Sequence, residues 1–179
     1  MLYTRTGDTG TSGLFGTKER IPKCSPVYET LGGLDELNSL LGYCRARALR
    51  EPRYGGVIAS DILSAQERLF VIQAEVAGRD ISISRSHIDE LEHAIEELES
   101  EIVNPHSFVI PGSTELSGLL DYARAVSRRA ERAVIATATE RTVSKHSFAY
   151  LNRLSSFLYV AARVAATSAT APESAPTYS

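Results

Sequence analysis

The chain has 179 residues, 43% of them hydrophobic and 23% charged, with a formal net charge of −3. That length and apolar share suit one domain with a sizeable core, and the slightly acidic balance gives no reason to expect nucleic-acid binding. No stretch approaches 18 uncharged apolar residues, no apolar signal region opens the chain, and Cys24 and Cys44 make neither a disulfide framework nor a metal spacing; the expectation is a cytoplasmic protein with no membrane span.

Residues 1–24 predict a non-helical arm. Glycines at 7, 10, 13 and 16 are interleaved with Thr and Ser. Such a segment can turn its backbone N–H groups toward an anion, and Arg5 and Lys23 would add charge. It is not a Walker A loop, because Leu14 stands where that motif requires Lys and no strand precedes it. A free arm and an anion cradle both fit these residues.

Residues 25–167 predict a single five-helix bundle. Ser25-Pro26 is a helix-start signal, after which Leu34, Leu37, Leu41, Cys44 and Ala48 form the apolar face of a first helix ending near Leu49. Asp35 and Asn38 lie on one edge of it, flanked by Gly32, Gly33 and Gly42; each glycine costs about 1 kcal/mol relative to Ala in a helix. Close approach of a backbone or a flat ligand would account for them, and Asp35 is a natural partner for an arginine. Pro52 and Gly55-Gly56 break the chain. Ile58, Ile62, Ala65, Leu69, Ile72 and Val76, spaced 4-3-4-3-4, then predict a second helix ending near Gly78.

Ser86, with Asp89 three residues on, predicts the cap of a third helix whose seam is Ile88, Leu91, Ile95, Leu98 and Ile102. Its remaining face is acidic and reads as solvated. Glu90-x-x-His93 is half of a di-iron motif, but no second Glu-x-x-His exists and the four histidines share no ligand spacing. No protein-ligated metal is expected. Residues 104–113 form a loop with an apolar middle, Phe108-Val109-Ile110.

The fourth helix, from about Thr114 to Ala138, carries four arginines in the nine positions 124–132. Ser117, Asp121, Arg124, Arg128, Glu131 and Arg132 share one stripe; Leu119, Ala123, Val126, Ala130 and Val134 share another. Guanidinium groups concentrated beside a core face suit multidentate phosphate binding, or equally an ion-pair network between helices or subunits. The fifth helix, from about Ser144 to Ala166, is predicted to bury Leu151, Leu154, Leu158, Ala162 and Ala165 and to present Asn152, Ser155, Ser156, Tyr159 and Arg163 as a polar stripe. Asn152 reads as a helix contact or a ligand contact. Residues 168–179, rich in Ala, Ser, Thr and Pro, predict a flexible tail. Helices of these lengths joined by short loops read as an all-α, up-down bundle. Neither a Gly-x-Ser-x-Gly serine nor a cysteine in a reactive context is present, so chemistry here would come from the substrates, with the protein supplying placement and charge.

Five segments together resemble the helical-bundle class of ATP:cob(I)alamin adenosyltransferases. They are Tyr3-Thr-Arg-Thr-Gly-Asp, Leu34-Asp-Glu-Leu-Asn-Ser, Phe108-Val-Ile-Pro-Gly, Arg128-Arg-Ala-Glu-Arg and Tyr150-Leu-Asn-Arg-Leu-Ser. The resemblance implies a homotrimer that binds ATP, with Mg²⁺, between neighbouring subunits and transfers its 5′-deoxyadenosyl group to cobalamin. It implies nucleotide contacts from Thr4, Arg5, Thr6, Gly7, Ser12, Gly13 and Lys23 of the arm and from Arg128, Arg129, Glu131, Arg132 and Asn152 of the bundle. Arg128 and Phe108 take the catalytic positions, Phe108 beneath the corrin, and Asp35 and Arg124 match a pair across the subunit interface. A reductase and an adenosylcobalamin-dependent acceptor enzyme are implied as further partners. Thr9, Cys24 and Ser156 replace residues common in the family, a lysine at the first and acids at the other two. Thr9 is the feature that best fits the other readings: a non-catalytic ATP- or cobalamin-binding sensor or a cofactor-delivery bundle. A purely structural helical oligomer is the third reading.

Overall fold

The computed structural model describes residues 3, 5–15 and 17–178; Thr4, one of the expected arm contacts, lies outside them. Two three-residue strands, β1 (Thr11–Gly13) and β2 (Arg20–Pro22), precede five helices: α1 (Pro26–Ala48), α2 (Gly55–Val76), α3 (Arg85–Glu99), α4 (Glu115–Thr137) and α5 (Lys145–Ser168). The helices run alternately up and down. Thr30, near the start of α1, bonds Thr137 at the end of α4, whereas Arg47, near the end of α1, meets Glu115 at the start of α4. α4 packs between α1 and α5, α2 packs on α1, and α3 packs on α5. No helix among the described residues is long and apolar enough to cross a membrane.

Local chemistry sets the helix ends. Thr114 and Ser117 satisfy each other's backbone N–H groups at the start of α4, at 3.0 and 2.9 Å. The Ser144 hydroxyl accepts from the Ser147 amide to cap α5. Buried Glu75, at the end of α2, accepts from the Ser144 amide and the Ser147 hydroxyl, fastening α2 to the start of α5. Gly55 opens α2 where a Cβ would stand 2.2 Å from the Ala48 carbonyl oxygen, so only glycine lets α1 and α2 turn this tightly.

The apolar faces of α1 and α2 are buried as their periodicity predicts. Three expectations change. The α3 cap is Ser84, with His87 completing the box, two residues before the predicted Ser86, whose hydroxyl instead bonds that of Ser84. On α4, Leu119 is only half-buried; Leu116 and Leu120 take the core positions, with Ser117 and Asp121 buried beside them, because α4 is covered on both flanks. On α5, Arg163 and Ser155 are buried rather than exposed, because α5 packs against three other helices and keeps little free surface. Beyond α5 the described residues form no helix or strand, yet Glu173 and Ser174 attach the segment in ways described below.

Candidate active site

The arm is organised by Arg20, whose side chain donates to the Thr6 carbonyl (2.6 Å), the Thr11 carbonyl (2.7 Å) and the Thr11 hydroxyl (3.1 Å). These bonds fold the turn at 6–10 back onto β2, and the Lys23 amide donates to the Gly10 carbonyl at 2.9 Å. The Lys23 ammonium lies over Gly7, 2.9 Å from where a Cβ would stand. Arg5 holds a left-handed backbone (φ 58) and sits over the Tyr3 ring. Leu14 and Ile21 pack on the core and Phe15 lies against the Arg79 guanidinium, so the arm is seated on the bundle rather than free. Ser12 and Gly13 sit in β1 and thus share this small scaffold with Gly7 and Lys23. Arg20 was missed from sequence; its signal was a cation on the short strand facing the glycine turn.

On the bundle, the arginines of α4 divide by their partners. Arg129 forms an ion pair with Glu36 of α1, next to Asp35. Arg128 and Arg132 are exposed and have no hydrogen bond or ion pair among the described residues. One and two turns before Arg132, Arg128 and Arg124 continue the same edge. Glu131 accepts from the Asn152 amide across α4 and α5 (3.3 Å), and the Asn152 carbonyl oxygen accepts from Arg153 (3.1 Å). Arg153 in turn meets Glu92 at 2.9 Å. Asn152 therefore makes a helix contact while staying exposed beside the two unpaired guanidinium groups. Among the described residues no hydrogen bond or ion pair joins this edge to the arm, and none joins Asp35 to Arg124. The Nε of Arg124 is buried with no hydrogen-bond partner, its nearest carboxylate being Asp121 at 3.9 Å. Added Cβ atoms at Gly32 and Gly33 would meet nothing within 4 Å, whereas one at Gly42 would stand 3.3 Å from the Gln66 side-chain nitrogen of α2, so the expected close approach occurs within the chain only at Gly42.

Beside Arg124 opens a cavity of about 510 Å³, walled by the 106–109 loop with Phe108, by Asp121 and Arg124 of α4 and by Tyr159 and Arg163 of α5. Phe108 is 79% exposed and shares its wall with Val109 and Pro111, an apolar surface that suits being covered. Arg163 is only 2% exposed, is paired with Asp121 and with Glu173 of the tail (2.8 Å), and lies over the Tyr159 ring face. Sequence reasoning left this cluster out, although Asp121 and Arg163, opposite charges on largely apolar helices, were its trace. A second hollow, of about 600 Å³, lies at the other end of the bundle among Arg79, Asp80, Glu140 and Arg141; none of the expected site residues lines it.

Known proteins resemble this chain in sequence and in fold. The family model for cobalamin adenosyltransferase matches residues 2–165. The chain is 39% identical over 170 residues to the corrinoid adenosyltransferase PduO of Salmonella typhimurium, covering 90% of this chain and 48% of that protein. It is 35% identical to the corrinoid adenosyltransferase of Bacillus subtilis, over 91% of this chain and 85% of that one. The chain thus spans about half the length of the PduO relatives it matches. A variant of the PduO-type ATP:corrinoid adenosyltransferase from Lactobacillus reuteri, solved with cobalamin and ATP, superposes with a TM-score of 0.90 at 25% identity, covering 99% of this chain and 97% of that one. With the same five-helix fold and a family match over nearly its whole length, this chain belongs to the cobalamin adenosyltransferase family.

Proposed function

We propose that the protein transfers the 5′-deoxyadenosyl group of ATP to the cobalt of cob(I)alamin, giving adenosylcobalamin and triphosphate. The observation that carries this is one edge of α4: Arg124 lines the Phe108-walled cavity, and Arg128 and Arg132, unpaired among the described residues, follow it one and two helical turns on. An apolar surface for the corrin thus adjoins free cations for a polyphosphate. In the reaction cobalt(I) supplies the electron pair for the new Co–C5′ bond, the C5′–O bond breaks, and its pair leaves with the triphosphate. The chain has no acid–base work to do; it aligns the reactants and stabilises the departing charge. Arg128, Arg132 and Lys23 would carry that charge, with Arg129, Glu131 and Asn152 fixing their setting and Arg5, Thr6, Gly7, Ser12 and Gly13 of the arm enclosing the nucleotide. Phe108 would occupy the lower face of the corrin and keep an axial ligand off the cobalt.

Among the described residues the charged side chains of the arm, Arg5, Arg20 and Lys23, make no polar contact with the α4 edge, which supports a site completed by the arm of a neighbouring subunit in a homotrimer. Exposed Asp35 and the part-exposed side chain of Arg124, whose only carboxylate neighbour among the described residues is Asp121 at 3.9 Å, support their pairing across that boundary. Among the described residues no group of three or more His, Cys, Asp or Glu could hold a metal ion, so Mg²⁺ is read as arriving with the triphosphate. The cobalt(I) state calls for a reductase, and the product for an acceptor enzyme. Arg128→Ala tests the site: loss of ATP binding and a drop of about 100-fold or more in rate, with the oligomer intact, are expected. Loss of assembly with ATP binding retained would instead favour a structural role for the stripe.

A further inference from the structure

The 103–113 loop presents Phe108 to the cavity, yet it has little to hold it. Among the described residues, the one hydrogen bond tying this loop to another element runs from the Ile110 amide to the carbonyl of Ser174 in the tail, at 2.8 Å. The loop's other polar contact is local, the His106 amide donating to the Asn104 side chain. The preceding tail residue, Glu173, is in ion-pair contact with Arg163 at 2.8 Å, and its side chain is 19% exposed. Adjacent Cα atoms stand about 3.8 Å apart across a trans peptide, so residues 173 and 174 form a link too short to adapt much. One end of that link grips the α5 wall of the cavity and the other grips the Phe108 wall.

We propose that Glu173 is a positioning residue: it anchors the tail on buried Arg163, and through the adjoining Ser174 carbonyl it holds the Phe108 loop in register with the cavity. The anchor is specific because Arg163 cannot turn away. It is buried, fixed on its other side by Asp121 and stacked on Tyr159, so it presents a fixed positive charge to the tail. The Arg163 Nε and the Glu173 carboxylate are close without hydrogen-bond alignment, so the hold is mainly electrostatic and depends on the charge of Glu173. Burial raises the Glu173 carboxyl from its ordinary range, Arg163 opposes this and Asp121 adds to it. In this arrangement a segment that looks like a trailing tail sets the position of a catalytic side chain.

The inference rests on the proposed reaction for its kinetic consequence but not for its structural one. Hydrogen exchange at the Ile110 amide in the full chain reads the clip directly. Glu173→Ala is expected to speed exchange there by about tenfold, the scale of losing one charge-supported contact, with amides in the middle of α4 unchanged. Glu173→Gln, which keeps the shape and loses the charge, is expected to do much of the same. In adenosylation assays both variants should raise KM for cobalamin by about tenfold and leave KM for ATP unchanged, a split that general loosening would not give. Unchanged exchange at Ile110 would overturn the proposal. So would faster exchange with both KM values unmoved, because the clip would then position nothing. A wild-type chain that makes no adenosylcobalamin would overturn the reaction, while the exchange measurement would still decide the clip.

Discussion

Asp121→Ala leaves the Arg163 guanidinium in place with its closest counter-charge removed. Arg163 is 2% exposed and Asp121 4%, so both charges are almost wholly desolvated at the floor of the cavity they line. Breaking a buried pair from one side costs about 3–5 kcal/mol, because the surviving charge stays desolvated. Here Glu173 at 2.8 Å and the Tyr159 ring remain, which places the expected loss near the lower end, at about 3 kcal/mol. For a chain of this size that corresponds to a fall in Tm of roughly 6–12 °C. Asp121→Leu combined with Arg163→Met removes both charges, and Glu173 can then turn to solvent; this variant is expected to recover most of the loss. Urea unfolding at fixed protein concentration measures both, since an oligomer's stability varies with concentration. A cost under about 1 kcal/mol for Asp121→Ala, below the range for a buried pair, would refute the reading of this cluster as a desolvated charge network.

Three further outcomes follow from local geometry. Gly55→Ala should destabilise by about 3 kcal/mol, the upper end for overpacking, since the new Cβ overlaps the Ala48 carbonyl; urea unfolding checks it. Burial pushes the Cys44 thiol up to about 12, so a thiol reagent at pH 8 should label exposed Cys24 quickly and Cys44 only on unfolding. Desolvation, with Glu97 nearby, raises the Asp61 carboxyl, so the folded chain holds that proton more tightly than the unfolded one. The contribution of Asp61 is therefore present at low pH and lost as pH rises through its folded value. Asp61→Asn should stabilise the protein at pH 7 and have no effect below the ordinary aspartate range of about 3.9, which denaturation at the two pH values would show.

What could be read from sequence followed the strength of the local pattern. The faces of α1 and α2 repeat apolar residues at helical spacing, and the structure buries each of them. The ends of α4 and α5 were legible because Thr114 and Ser144 cap them with their own side chains. Periodicity misled where burial was two-sided. α5 is packed on three helices, so Ser155 and Arg163 read as part of a solvent stripe although they are covered, while Asn152 and Ser156 of the same stripe are exposed. The strands of the arm are three residues long and too short to show alternation; the bonds from Arg20 that shape them join residues 9 and 14 apart. The candidate site was legible as residue types, but the division of the arginines was not. Arg129 is committed to Glu36 and Arg163 to Asp121, while Arg128 and Arg132 are left unpaired, and this depends on which helices become neighbours. Glu173 lay in a segment whose composition predicts flexibility; only the fold shows the buried cation it meets.

The reaction itself is tested most directly by following the cobalamin spectrum while the purified protein is incubated with MgATP and chemically reduced cobalamin, and by identifying the phosphate product. Conversion to adenosylcobalamin with one triphosphate released per turnover, lost in Arg128→Ala, is the expected result. Binding of ATP and cobalamin with no adenosylcobalamin formed would contradict the account and leave a binding protein in its place.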